Sequence, residues 1–307
     1  MTVMFSELPG TGLIAVRGAD AAAFLQAQLT SDISRIGTAG TQYSGYCSPK
    51  GRLLATFLVW RCEDEFLLQL PESLRETVEA RLTKYVLRAQ VKLAKAQRQI
   101  FGLWGPDAAA VLEPLAGAAS DHDHDVWSSQ SLCLTRLPGA RYLVTVSIDG
   151  ADSLHAALSS AARKQAESAW SALDIAAGVP VITAETQEEY VPQMVNLDLL
   201  GGVSYTKGCY PGQEIVARTH YLGRLKQRMY RVRVPAEGAR PGDRLYSEAF
   251  GAEQSSGALL NVAPFADGGH DALAVIQTSG VGQVHWKSAG GPAVELKALP
   301  YALTEPA

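Results

Sequence analysis

The chain has 307 residues, 47% hydrophobic and 19% charged, which excludes a disordered chain and allows a sizeable buried core. Its formal net charge of −4 excludes a strong global pull toward nucleic acid or an anionic membrane, while leaving room for a local basic patch. No apolar run reaches the roughly 18 residues of a membrane span, and the opening MTVMFSELPGTG lacks the cationic start and apolar core of a signal segment. Cys47, Cys62, Cys133 and Cys209 lie far apart, with no C-x-x-C pair, so the expectation is a cytoplasmic protein with reduced thiols and no metal knuckle.

In chain order, LIAVRGAD predicts a strand running into a helix, with Asp20 as N-cap and Phe24, Leu25 and Leu29 as its apolar face. TQYSGYCSPKGRLLATFLVWRCEDEFLLQLP predicts strands with turns at 48–51 and 63–64. In the helix expected next, Leu74, Val78, Leu82, Tyr85 and Val86 fall on one face. A strand pair around VKLAKAQRQIFGLWG follows. The block 105–163 then repeats the pattern weakly: a helix from Pro106, a polar loop, a strand at RYLVTVSID, and a helix from Asp152 to Ala162. SAWSALDIAAGVPVI reads as a short helix with Ser168 as N-cap and Gly178 at its stop. About 30 residues without periodicity come next, a length that a compact domain seldom carries without a functional reason. From Leu225 short alternating strands predict a small β-barrel over 227–307, after an α+β region over 1–226 with lobes of roughly 1–97 and 98–226.

The irregular stretch ends in YTKGCYPGQEIVAR. Pro211 suits the first position of a helix, which puts Gln213 and Glu214 in the first turn. The free N–H groups there and the neighbouring Lys207 would stabilise a thiolate at Cys209, and the alternative is a small inert cysteine in a glycine-rich turn. A Cys–His hydrolase is disfavoured, because His220 lies eleven residues on and His155, His270 and His285 have no supporting motif. DHDHD at 121–125 reads as a solvated loop rather than a metal site. Lys50 and Arg52 in SPKGR, and Arg218, Arg224, Lys226 and Arg228 interleaved with Tyr221 and Tyr230, are candidate anion or RNA contacts. They are equally compatible with ordinary surface. Trp170 is a candidate core residue or ligand wall.

Taken together, Lys207-Gly208-Cys209-Tyr210-x-Gly212-Gln213-Glu214, the preceding PQMVNLDLLGGVSYTKG, AGVPVI at 177–182, GADAAAFLQAQLTSDI at 18–33 and SPKGRLLATFLVW resemble the YgfZ family, over nearly the whole chain and more weakly after about 235. The family consists of folate-binding, GcvT-like proteins related to a mitochondrial iron–sulfur assembly factor. The resemblance implies a fold like the glycine-cleavage T-protein, with two α+β lobes and a C-terminal barrel around a channel that takes a tetrahydrofolate. It implies a non-catalytic role supporting iron–sulfur enzymes or assembly proteins and tRNA methylthiolation, with Cys209 as the key thiol and Trp170, Gln193 and Asn196 at the folate. Two departures stand out. The turn from Tyr46 to Arg52 has no carboxylate, which counts against the alternative of an aminomethyl transferase. The expected pterin-binding Glu is Ala176, and an expected aromatic residue is replaced by Thr11 and Gly12.

Overall fold

The computed structural model describes residues 3–37, 40–117, 120, 122–129, 131–223, 225–251, 253–265 and 267–303. Its contacts divide the α+β chain into two compact units, residues 1–43 with 57–170, and residues 44–56 with 171–307. The segment 44–56 thus groups with the second half of the chain, which the local sequence pattern does not reveal.

In the first unit, β1 (Met4–Glu7) precedes two series of elements in the same order. The first series is β2 (Thr11–Arg17), α1 (Ala21–Gln28), β3 (Thr41–Cys47), β4 (Leu53–Cys62), β5 (Glu65–Pro71), α2 (Glu72–Thr83) and β6 (Lys92–Lys95). The second is β7 (Arg98–Trp104), α3 (Ala108–Ala116), β8 (Val126–Ser128), β9 (Leu132–Leu137), β10 (Arg141–Ser147), α4 (Ala151–Ala161) and β11 (Arg163–Lys164). Among the described residues their sheets run β3-β4-β5-β2-β6 and β8-β9-β10-β7-β1-β11. The orders match strand for strand, except that β1 lies beside β7 where β6 lies beside β2. The strands β3 and β4 carry the chain into and out of the second unit.

Local chemistry explains most of these elements. Leu74, Val78 and Leu82 are the buried stripe of α2, as their spacing predicts. The helix stops earlier than the pattern: Tyr85 and Val86 bond back only three residues, to Leu82 and Thr83, and Leu87 turns to φ 47°. Tyr85 is consequently exposed. Asp20 sits at the start of α1 but does not cap it with its side chain, which accepts instead from the Gln90 amide at 2.7 Å. The expected strand pair at 91–105 is two strands in different sheets: β6 bonds to β2, and β7 lies between β1 and β10. The expected polar loop after α3 contains β8 and β9. Leu132, Cys133, Leu134, Thr135 and Leu137 of β9 are buried, so little periodicity was left to read.

The expectation of four reduced thiols is corrected for two of them. Cys62, at the end of β4, is bonded to Cys133 of β9, which joins the two sheets of this unit across 71 residues of sequence. DHDHD is a structural loop where it is described. Asp125 accepts from Ser120, Asp123 pairs with Arg136, and His124 Nδ1 lies 3.1 Å from Thr41 Oγ1. Asp121 lies outside the described residues, and among those described no cluster of three or more His, Cys, Asp or Glu could hold a metal.

The core of the second sheet joins Phe5, Phe101, Leu103, Tyr142 and Val144 to Leu112, Leu154 and Leu158 of α3 and α4. Trp170, from α5 (Glu167–Ala176), lies on β7 at the one residue without a side chain. A Cβ at Gly102 would stand 2.2 Å from Trp170 Cε3. Arg141 covers the indole at 5.4 Å and Trp104 packs on it at 6.0 Å, leaving it 3% exposed. Helix α5 begins one residue before Ser168, and Glu167 rather than Ser168 makes the first-turn contact, accepting from the Gly10 amide.

In the second unit, the chain from 177 to 212 is irregular apart from a 3-10 turn at Pro192–Val195, followed by α6 (Gln213–Leu222). The tail contains β12 (Gln227–Val234), β13 (Arg244–Tyr246), β14 (Ser255–Pro264), β15 (His270–Gln277), β16 (His285–Trp286) and β17 (Glu295–Lys297). They form one sheet in the order β16-β13-β14-β15-β12-β17 over a core of Val232, Val234, Leu259, Ala274, Ile276 and Trp286. Among the described residues no helix is long and apolar enough to cross a membrane.

The contact at Gly102 makes a prediction. Gly102→Ala should lower stability by about 1–3 kcal/mol through overpacking against the Trp170 ring, read as a lower denaturant midpoint at unchanged slope. An unchanged midpoint would mean that the ring is not seated on β7.

Candidate functional site

The turn 48–51 and the loop before α6, far apart in sequence, meet in the second unit. The turn 48–51 is closed by the Ser48 amide donating to Arg52 O at 2.8 Å and the Gly51 amide donating to Ser48 O at 2.9 Å. Against it lies Gly212, the N-cap residue of α6, at φ 80°. A Cβ on Gly212 would be 2.5 Å from Ser48 O and 2.6 Å from Gly51 Cα, and one on Gly51, at φ 70°, would be 2.8 Å from Ile215 Cβ. Both glycines are therefore required twice over, by the left-handed backbone and by the absence of room. Pro211 consequently sits one residue outside the cap, and the helix starts at Gln213, whose amide donates to Tyr210 O at 3.2 Å.

This packing fixes the neighbours of Cys209. Tyr210 points inward and is 6% exposed; Cys209 and Gly208 are exposed. Burial, and next the nearby Cys47, push the Tyr210 hydroxyl up from its ordinary value. The Lys207 ammonium lies 5.3 Å from the Tyr210 ring centre, a cation over an aromatic face. Gln213 is half-buried and Glu214 exposed in the first turn, where a carboxylate suits the helix dipole. Cys47 is the second free thiol. It is 2% exposed, and burial raises its pKa to about 12, so it is held as an inert thiol.

Behind the loop runs a buried polar network. Gln193 and Asn196 are both 0% exposed. Gln193 Nε2 donates to Val216 O of α6 at 2.7 Å and to Tyr205 Oη at 3.2 Å. Asn196, in the left-handed region at φ 60°, donates to Met229 O at 2.9 Å. Gln193 Oε1, Asn196 Oδ1 and the Tyr210 hydroxyl have no hydrogen-bond partner. Tyr301 donates to Gly178 O at 2.7 Å, close to where a Cβ on Gly178 would fall.

Arg228 corrects the surface reading. It is 4% exposed, donates to Gln193 O at 2.7 Å and is paired with Asp198 at 3.2 Å, so its charge is spent inside the protein. Burial raises the Asp198 carboxyl above the ordinary range, opposed by Arg228. Strand alternation assigns Arg228 to the solvent face, but the buried counterion comes from the irregular segment, which local sequence does not connect to β12. Asp198 is thus the acid that sequence reasoning missed. Its one signal is a carboxylate between leucines in NLDLL.

The other candidates fall in different places. Lys50, Arg218 and Lys226 are exposed; Arg52 donates to Glu189 O; Arg224 lies outside the described residues. Trp170 belongs to the first unit. Gly12, in the same unit, lies close to the start of α2: a Cβ there would be 3.0 Å from Glu72 Cα and 3.2 Å from Arg75 Cβ, so the aromatic residue expected there would crowd the helix. The histidines that a Cys–His mechanism would recruit are engaged: His155 with Glu7 at 3.1 Å, His270 Nδ1 2.9 Å from Ala236 O, His285 Nδ1 2.9 Å from Gly291 O, and His220 stacked on Tyr205.

The glycine contact is testable. Gly212→Ala should cost about 1–3 kcal/mol from backbone strain and overpacking. Gly208→Ala has no heavy atom within 4 Å of the added Cβ and should be within about 0.5 kcal/mol of the parent. Equal thermal midpoints for the two variants would refute the seating of the loop on the 48–51 turn.

Comparison with known proteins agrees with this architecture. Residues 2–147 match the GCVT N-terminal domain family. The tRNA-modifying protein YgfZ of Klebsiella pneumoniae is 34% identical over 74% of this chain and 72% of its own length. That of Cronobacter sakazakii is 30% identical over 97% and 93%. The crystal structure of the glycine cleavage system aminomethyltransferase T from Bartonella henselae superposes with a TM-score of 0.79 at 19% identity, over 97% of this chain and 86% of that one. The chain has the GcvT-like fold, one associated with folate binding, and it belongs to the YgfZ family of tRNA-modifying proteins.

Proposed function

We propose that the protein is a folate-linked accessory factor in tRNA modification that supports the maturation or maintenance of iron–sulfur enzymes, with Cys209 as its working thiol. The observation that carries this reading is the contrast between the two free cysteines: Cys47 is sealed in the core, while Cys209 is exposed on a rigidly seated loop. Such a thiol is accessible to a partner. It can supply one ligand to a cluster shared with an assembly protein or client enzyme, but not the usual four.

Tetrahydrofolate or a derivative is the cofactor in this reading. Gln193 Oε1 and Asn196 Oδ1 are buried acceptors without donors, and the amino and ring N–H groups of a pterin are donors in need of buried acceptors. They would compensate for Ala176, which stands where a pterin-binding carboxylate is expected. Trp170 is packed on β7 within the first unit and is left out of this reading. Bound folate would supply a one-carbon carrier or a regulatory ligand; the chain's own part is to bind and orient it. Aminomethyl transfer is disfavoured, since the 46–52 turn offers no carboxylate and Asp198 is committed to Arg228. Contact with tRNA would fall to the exposed cations Lys50, Arg218 and Lys226.

The test is complementation of a deletion strain. Wild type should restore iron–sulfur enzyme activities and tRNA methylthiolation, and Cys209→Ser, at equal abundance, should not. Normal activities in the deletion strain, or full rescue by Cys209→Ser, would overturn the proposal.

A further inference from the structure

The far end of α6 exposes apolar surface that folding does not use. Tyr221 is 60% exposed and Leu222 84%. Tyr221 is nevertheless held firmly. The Tyr205 and His220 rings stack face to face at 3.7 Å and 11°, and Tyr221 meets them edge-on at 6.2 Å and 4.7 Å. The stack is anchored in turn by buried Gln193, which donates to Tyr205 Oη. An exposed aromatic ring with a rigid backing loses little freedom when something stacks on it.

The charge around it is distinctive. In a chain of net charge −4, the sequence 205–227 has four cations and one carboxylate, Glu214; of the cations, Lys207 lies over the Tyr210 ring, Arg218 and Lys226 are exposed, and Arg224 lies outside the described residues. Arg218 lies one turn before Tyr221 and Leu222 on the same helix face, and it is exposed. Glu214 lies seven residues before Tyr221, about 10 Å along the axis. An exposed aromatic ring flanked by cations is the pattern that binds single-stranded nucleic acid, in which each base offers a π-face and each phosphate a negative charge.

We propose that this end of α6 is a stacking platform for an unpaired RNA base, with Tyr221 beneath the base and Arg218 and Lys226 on the flanking phosphates. The proposal rests on the tRNA-contact reading above and makes it specific: the ligand is a looped-out or single-stranded nucleotide, not a duplex.

The test uses the full chain and fluorescence anisotropy against three labelled probes: an unmodified tRNA transcript, a single-stranded RNA of about ten nucleotides, and a duplex of the same length, at several KCl concentrations. Wild type should bind the tRNA and the single strand in preference to the duplex. Tyr221→Ala should weaken both by roughly ten- to a hundredfold, and Tyr221→Phe should restore them. Arg218→Ala should lower the salt slope by about 0.7. The ring is exposed, so these variants should melt like the parent. Absence of salt-dependent RNA binding by wild type would overturn both the tRNA-contact reading and the platform. Wild-type binding unaffected by Tyr221→Ala, or as tight to the duplex, would overturn the platform alone. Loss of a protein partner from Tyr221→Ala with RNA binding intact would mean that the surface docks protein, which also overturns it.

Discussion

Gly51 and Gly212 meet with no Cβ between them, and this approach decides how the loop before α6 is displayed. Any side chain at either position would push the 48–51 turn away from the start of the helix. With both glycines in place, Tyr210 is drawn into the interior while Cys209 stays at the surface. The two sequence motifs that first draw attention, SPKGR and KGCYPGQE, are therefore two halves of one structural device.

The irregular stretch between α5 and α6 is held by polar groups rather than by an apolar stripe. Gln193 ties it to α6, Asn196 ties it to β12, and Asp198 closes on Arg228. Buried polar contacts of this kind are costly unless fully paired, and here they are not: Gln193 and Asn196 each keep one acceptor without a donor. Unpaired acceptors in an otherwise satisfied network are what a ligand with N–H donors would complete. The same network braces Tyr205 and, through His220, the exposed Tyr221, so the proposed folate and RNA contacts would share one scaffold.

Much of this was legible in the sequence where local rules apply. The stripe Leu74, Val78, Leu82 predicts α2, Gly178 marks the end of α5, and the lack of periodicity before Cys209 marks the segment that folds without regular structure. The features that escaped are those made by distant partners. Cys62 and Cys133 belong to corresponding strands of two sheets built from elements in the same order, a relation that weak sequence similarity only hints at. Arg228 reads as surface until Asp198 is brought to it. The stack of Tyr205 on His220 joins residues on either side of the helix start, and nothing in their spacing announces it.

The central claim is that one thiol is on offer and the other is withheld. Timed maleimide labelling of the native protein, with peptide mapping, tests it directly. Cys209 should label rapidly and completely at neutral pH, while Cys47 should label only after denaturation. Protection of Cys209 in the folded protein, or labelling of Cys47 at a comparable rate, would contradict the account.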